Sequence, residues 1–185
     1  MKTNKEQDHI NPIHFKTKLF KIGSWTILKL PETASAKLPS RAMTMVSGTI
    51  NNVPFQTPLE PDGVGSHWFR LDNALLKSIK ADVGDSVTLE IEQMKEWPDP
   101  EVPEDLKKAL DDDERAHALW MKITPNARWD WVRWIRLTRE AETRKKRIVV
   151  TCSKLRSGMR RPCCFNRNLC SEADVSKNWV LLSAN

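Results

Sequence analysis

The chain has 185 residues, a length that suits one large domain or two small ones. Apolar residues make up 39% of it and charged residues 29%, a balance typical of a folded soluble protein and not of a disordered or membrane-embedded chain. The net charge of +6 and the pI near 9.2 favour anionic partners, without choosing between nucleic acid, anionic lipid and an acidic protein.

The N-terminal residues and the lengths of the apolar runs indicate the cellular compartment in which the protein is expected. Residues 1–13 look like a flexible lead-in and contain no apolar core of a secretory signal. No apolar run approaches the roughly 18 residues that a transmembrane helix needs. We therefore expect a cytoplasmic protein without a transmembrane segment, in which the four cysteines are mostly reduced thiols.

Residues 14–95 have the signals of short strands separated by turns. The predicted strands are residues 25–30, 43–50, 53–57, 67–71 and the alternating Val87, Leu89 and Ile91. Predicted turns lie at Asn51-Asn52, 61–65 and 83–85, and residues 73–80 form a short helix or turn. Short strands with regular turns predict a small β-barrel.

The composition changes at residue 96, where a proline-rich stretch breaks regular structure. Residues 96–115 carry nine acidic and three basic side chains, a net charge of −6. We expect a second, helical domain after this point. The predicted organisation is a flexible N-terminus at 1–13, a barrel at 14–95, a linker at 96–103, a helical domain at 104–160 and a cysteine-containing tail at 161–185.

The second domain is predicted to contain helices at residues 104–110, 116–123, 125–139 and 143–155. Thr124 would cap the third helix and Pro125 would begin it, because proline lacks the donor that a first helical residue leaves unused. In that helix the residues Trp131, Trp134, Ile135 and Thr138 recur at i, i+3, i+4 and i+7, which predicts a face turned to the core. Arg133, Arg136 and Arg139 fall off this stripe, toward water.

Positive charge is concentrated in residues 128–161, where twelve basic and three acidic side chains give a net of +9. The run Arg144-Lys145-Lys146-Arg147, together with Arg136 and Arg139, predicts a surface that binds an anion or a protein partner. Lysine and arginine that neutralise phosphates release counterions, so such binding is strong at low salt. The alternative is a solvated helix face, neutralised in part by the acidic segment.

Other candidate residues are less specific. His67 and Trp68 follow a glycine-containing turn and are candidates for a ligand pocket at the barrel mouth. The alternative is that His67 is a half-exposed histidine of a strand. Trp129, Trp131 and Trp134 could stack on nucleic-acid bases. The alternative is that they pack in the core. Cys163, Cys164 and Cys170 offer an alternative metal or redox-thiol site. This alternative is weak, because the adjacent pair lacks the spacing of a zinc site. The sequence shows no complete catalytic constellation.

Two groups of motifs resemble known domains. Val46-Ser-Gly-Thr-Ile-Asn-Asn-Val-Pro-Phe55 and Gly84-Asp-Ser-Val87 resemble the domain of unknown function DUF1905. Val102-Pro-Glu-Asp-Leu106, Trp134-Ile135 and Glu142-Thr-Arg-Lys-Lys-Arg-Ile148 resemble the bacteriocin-protection, YdeI/OmpD-associated domain. Asn52 departs from the usual glycine, and Leu137-Thr138-Arg139 replaces an Ala-Lys pair.

The resemblance implies an α+β protein with a double-split β-barrel followed by a short helical domain. It implies no agreed catalytic residues and no cofactor, but it implies a link to protection from bacteriocins or cationic peptides. We therefore expect a non-catalytic binding protein of this stress-protection class, which docks an anionic or protein partner on its basic helices. The alternatives are a nucleic-acid-binding, regulator-like barrel and a small-ligand-binding barrel with a thiol or metal-binding tail.

Overall fold

The structure is a computed structural model and describes residues 11–23, 25–136, 138 and 140–162. Contacts within the described chain divide it into two compact units, one ending at Lys95 and the other beginning at Glu96. None of the helices in these ranges is long and apolar enough to span a bilayer.

The first unit is a closed antiparallel barrel with the strand order β1-β2-β5-β4-β3-β6. Its elements are β1 Ile13–Ile22, β2 Trp25–Lys29, α1 Glu32–Ser35, β3 Thr44–Ile50, β4 Val53–Pro61, β5 His67–Leu71, α2 Asn73–Ile79 and β6 Ser86–Gln93. The predicted alternation in β6 is confirmed, since Val87, Leu89 and Ile91 are all fully buried. Closure of the barrel pairs every strand with two neighbours and so removes exposed sheet edges.

The β3–β4 hairpin turns at Asn51 and Asn52, as predicted from the asparagine pair. Both residues have positive φ values, 48° and 66°, a conformation that asparagine tolerates better than most residues. The Asn51 side chain also accepts a hydrogen bond from the Thr88 backbone N–H at 3.0 Å, which ties the hairpin to β6. On β3, Gly48 lies so close to β6 that a Cβ would overlap the Glu90 carbonyl oxygen.

The second unit is helical. Its elements are α3 Glu104–Asp111, α4 Glu114–Lys122, α5 Pro125–Arg136 and α6 Ala141–Arg156. The core is built from one face of each helix, and its buried residues are Leu106, Leu110, Ala116, Trp120, Ile123, Ala127, Trp131, Val132, Ile135, Ile148, Cys152 and Leu155. The predicted fold class, α+β with a small barrel followed by helices, is confirmed.

The ends of α5 and α6 show which local signals the sequence carries. Thr124 Oγ1 accepts a hydrogen bond from the Ala127 N–H at 3.4 Å, so the predicted cap before Pro125 is present. The last helix, predicted over residues 143–155, is observed over Ala141–Arg156; after it Gly158 has a φ of 88° and its N–H donates to the Leu155 carbonyl. The end of α5 was predicted at residue 139 and lies instead at Arg136.

Candidate functional site

The aromatic stripe of α5 faces the core of the helical unit, as predicted. Trp131 and Ile135 are 1% and 0% exposed, and the Trp131 indole N–H donates to the Arg160 carbonyl at 3.1 Å. Trp134 is half-buried and meets Trp131 edge to face, with ring centroids 6.0 Å apart. These contacts make Trp131 and Trp134 packing residues and leave no two-sided stacking platform for a base.

Trp129 lies at the edge of this core. Its ring is half-buried and packs edge-on against Trp97 at 6.5 Å between centroids. Its indole N–H donates to the Pro98 carbonyl at 2.8 Å, which holds the segment before α3 against α5. The proline-rich stretch of residues 97–100 is therefore attached to the helical unit at this point.

Arg144 is held by the acidic segment. Its Nε and Nη2 atoms donate to the two carboxylate oxygens of Asp105 at 2.6 and 2.9 Å, a bidentate pair. The hydrogen bonds from Arg144 lower the pKa of the Asp105 carboxyl below its ordinary value, although partial burial opposes the shift. Arg144 Nη1 also reaches the Ile135 carbonyl at 3.5 Å.

Arg147 is turned inward, although it belongs to the same basic run. The residue is 8% exposed, and its Nη1 donates to the Trp134 carbonyl at 2.6 Å. Its guanidinium lies over the Trp134 ring, 5.5 Å from the centroid. Arg144 and Arg147 thus supply donors and positive charge to carbonyls in the last turn of α5, which have no partner within their own helix.

Arg136 is at the surface at the end of α5. It donates to the Glu101 carbonyl at 3.2 Å and pairs with the Glu101 carboxylate at 3.7 Å. Glu101 is 92% exposed, so this ion pair adds little to stability. Arg139, the sixth predicted anion-binding residue, lies outside the described residues.

The two lysines of the run remain at the surface. Lys145 contacts Glu142 at 2.9 Å, but both side chains are about three-quarters exposed, at 73% and 76%, so water screens the pair. Lys146 is exposed and has no carboxylate within ion-pair distance in the part of the chain that the structure describes. Within the run from Arg144 to Arg147, the two lysines are thus the residues whose charged ends are largely exposed to water.

Residues 96–115, the acidic segment, neutralise several arginines of α5 and α6. This agrees with the alternative interpretation of the basic run, a helix face neutralised in part by the acidic segment. Besides the pairs of Asp105 and Glu101, Asp99 contacts Arg128 at 2.6 Å and Asp113 contacts Arg156 at 3.1 Å. All of these contacts join the start of the helical unit to α5 or α6. These ion pairs occupy guanidinium groups within the protein and lower the positive charge at its surface.

His67 does not line an open pocket. It is 0% exposed, and its ring nitrogens are both occupied: Nε2 donates to the Ala42 carbonyl at 3.0 Å, so Nδ1 accepts from the Ser35 hydroxyl at 2.6 Å. Burial lowers the pKa of His67, the Arg41 charge acts in the same direction, and Asp62 opposes it. A neutral His67 therefore fastens residues 31–43 to β5.

Asp62 forms a second buried anchor beside this histidine. Burial alone would raise the pKa of its carboxyl, but hydrogen bonds from Lys29 and from the Ser66 and Val64 N–H groups hold the pKa below its ordinary value. The Lys29 ammonium lies 2.9 Å away. Trp68 is 3% exposed, so the predicted pocket of His67 and Trp68 is corrected to a buried part of the barrel wall.

The barrel surface has an open polar depression of about 460 Å³, lined in part by His14, Thr49, Thr88 and Glu90. His14 and Glu90 are 3.5 Å apart, but their side chains are 62% and 51% exposed. Such a pair is well hydrated and lacks the desolvated charge that acid–base catalysis uses. The depression is therefore a hydrated surface feature with an exposed, weak ion pair.

The described ranges contain no group of three His, Cys, Asp or Glu side chains placed to hold a metal. Cys152 is buried against the Ala109 carbonyl, and burial raises the pKa of its thiol, which disfavours the reactive thiolate. The weak metal candidates Cys163, Cys164 and Cys170 lie outside the described residues.

Two features of the helical unit are absent from the sequence-based expectations. Asp105 and Arg144 are 39 residues apart and meet only through the fold. Val149 and Val150 are 67% and 40% exposed on α6. An apolar pair outside the inward positions of a helix was the signal that could have drawn attention to them.

Comparison with protein families agrees with the two units. Residues 10–91 match the model of DUF1905, a domain of unknown function, and residues 99–158 match the model described as Bacteriocin-protection, YdeI or OmpD-Associated. No curated protein matches the chain. The second match supports a role in the stress-protection class. The chain therefore carries a DUF1905 domain followed by a bacteriocin-protection, YdeI or OmpD-associated domain.

Proposed function

We propose that this protein is a non-catalytic binding protein of the bacteriocin-protection class, acting in the cytoplasm, and that it docks an anionic partner on α6. The observation that carries the proposal is the exposure of Lys145 and Lys146, while the arginines on either side of them serve the fold. The Lys146 ammonium can exchange its water for a partner's carboxylate or phosphate, and Lys145 would give up only its exposed, screened contact with Glu142.

Helix geometry supports a small site. Consecutive residues of an α-helix are about 100° apart around its axis, so Arg144 and Arg147 cannot share a face with both lysines. Lys154 lies about 80° around the axis from Lys146 and about 180° from Lys145, and it is partly buried, so it does not share a face with both lysines. We therefore assign the docking site to Lys145 and Lys146, with Arg144 and Arg147 as residues that position α6 against α5.

The same contacts disfavour a nucleic-acid site. Arginine forms bidentate hydrogen bonds with guanine and with phosphate groups. Three arginines of the predicted surface instead donate to oxygen atoms of the protein itself. A partner recognised by lysines at a few points needs carboxylates or other compact anions rather than a continuous phosphate backbone. An acidic protein surface meets this requirement.

The test compares two double variants that each remove two charges. Lys145→Ala with Lys146→Ala removes the proposed site, and Lys107→Ala with Lys108→Ala removes two exposed lysines of α3 as the matched control. We expect the α6 variant to elute from immobilised heparin, used as a generic polyanion, at a lower salt concentration than the control and the unaltered chain. Equal elution of the two double variants would overturn the assignment.

A further inference from the structure

The outward face of α6 combines charge with exposed aliphatic side chains. Val149 is 67% exposed and Val150 is 40% exposed, in the middle of the helix. Each lies one turn after a lysine, so two parallel rows run along the surface at i, i+4 spacing. These rows are Lys145-Val149-Ser153 and Lys146-Val150-Lys154.

The two valines do not belong to the core of their own unit. The inward face of α6 is formed by Ile148, Thr151, Cys152 and Leu155, which are buried. Valine also has a lower helix propensity than alanine or lysine, because its branched Cβ loses rotamer freedom in a helix. At these positions that cost is not offset by burial, a local inconsistency typical of a surface selected for contact.

Building on the proposed function, we propose that this face binds an amphipathic acidic helix of a partner protein. The partner's apolar side chains would cover Val149 and Val150, and its carboxylates would meet the ammonium groups of Lys145 and Lys146. From residue 145 to residue 153 the face is about 12 Å long, which matches about two turns of a partner helix. An apolar centre with a charged rim is the usual anatomy of a protein interface.

Charge and size argue against the other occupants. Glu142, at the start of the same face, is 76% exposed and would repel a polyanion that ran along the whole helix. A membrane surface is bound by broad apolar faces with large side chains, whereas this face offers two valines. A partner helix of limited length can place its carboxylates opposite the lysines and stop before Glu142.

The probe is a labelled synthetic helix with leucines on one face and glutamates on its flanks, compared with a scrambled peptide of the same composition. Binding is measured by fluorescence anisotropy to the full chain. We expect the amphipathic peptide to bind tighter than the scrambled one, and Val149→Ser with Val150→Ser to weaken it roughly ten-fold. The matched control is Val64→Ser with Val83→Ser, two exposed valines of the barrel unit.

The outcomes separate this inference from the proposed function. Equal binding of the two peptides, or an unchanged affinity after loss of Val149 and Val150, would overturn the amphipathic partner while the lysine-dependent retention on heparin could stand. Dissociation of a dimer by the same two substitutions, seen by sedimentation, would assign the face to a second copy. Valine-dependent binding to phosphatidylglycerol vesicles without peptide binding would assign it to lipid. Either result would also overturn the inference.

Discussion

Replacing Arg147 by methionine should destabilise the helical unit by about 2–3 kcal/mol, whereas the same replacement of Lys146 should change stability by less than about 0.5 kcal/mol. The two residues are adjacent in one basic run and carry the same charge. They differ in burial, since Arg147 is 8% exposed and Lys146 lies at the surface. The comparison therefore tests whether the fold, rather than a partner, uses Arg147.

The magnitude follows from the contacts of Arg147. Its 2.6 Å hydrogen bond to the Trp134 carbonyl is charge-assisted, and such bonds contribute about 1.5–3 kcal/mol. Its position over the Trp134 ring adds about 0.5–1 kcal/mol. Methionine retains apolar contacts of the side-chain stem and removes a partly desolvated charge, which together reduce the loss to about 2–3 kcal/mol.

The assay is urea unfolding followed by circular dichroism at 222 nm, which reports mainly on the helices. Both variants are compared with the unaltered chain at pH 7, and an unchanged slope against urea shows that the same surface unfolds. An Arg147→Met protein as stable as the Lys146→Met protein would refute the reasoning. The refutation would be strongest if heparin retention fell with Arg147 instead, because Arg147 would then be acting on ligands.

Three further predictions concern the other anchors. Asp105→Asn should cost about 1 kcal/mol at pH 7 by urea unfolding, and because Arg144 lowers the pKa of Asp105, the difference should disappear as the pH falls below about 4. Because burial lowers the pKa of His67, the unfolded chain takes up a proton at a higher pH than the folded chain does. The stability of the folded chain should therefore decline as the pH falls below about 6.5. His67→Gln should make this decline smaller in thermal melts at several pH values. Gly48→Ala should cost about 3 kcal/mol in the melting of the barrel, because its methyl group would overlap the facing carbonyl of β6, while Ser47→Ala should cost less than about 1 kcal/mol.

The barrel was predictable where its signals are local. The alternation of Val87, Leu89 and Ile91 and the left-handed preference of Asn51-Asn52 each act over a few residues, and both appear in the structure. Strand β1 is absent from the predicted strands, although its burial alternates from Ile13 to Leu19 and the alternation breaks only over the last three residues. Its place is set by pairing with β2 and β6, which the sequence of the strand does not encode by itself.

The candidate site was predictable only in part. The spacing of Trp131 and Ile135 placed the inward face of α5 correctly, because a stripe at helical spacing depends on one element alone. The run from Arg144 to Arg147 was treated as one surface, although four consecutive helical residues span about 300°. Which of them point inward depends on where α6 packs, and that is fixed by contacts with Asp105 and the end of α5.

The side-chain chemistry explains why the arginines lie inside and the lysines outside. A guanidinium is planar, weakly hydrated and rich in donors, so Arg144 can bind a carboxylate and a helix-end carbonyl together, and Arg147 can cover an indole ring while it donates to a second carbonyl. An ammonium group is strongly hydrated and loses more on burial. The local charge of the sequence therefore overstates the positive charge left at the surface, and the docking that we propose would depend on a few lysines and the valines beside them.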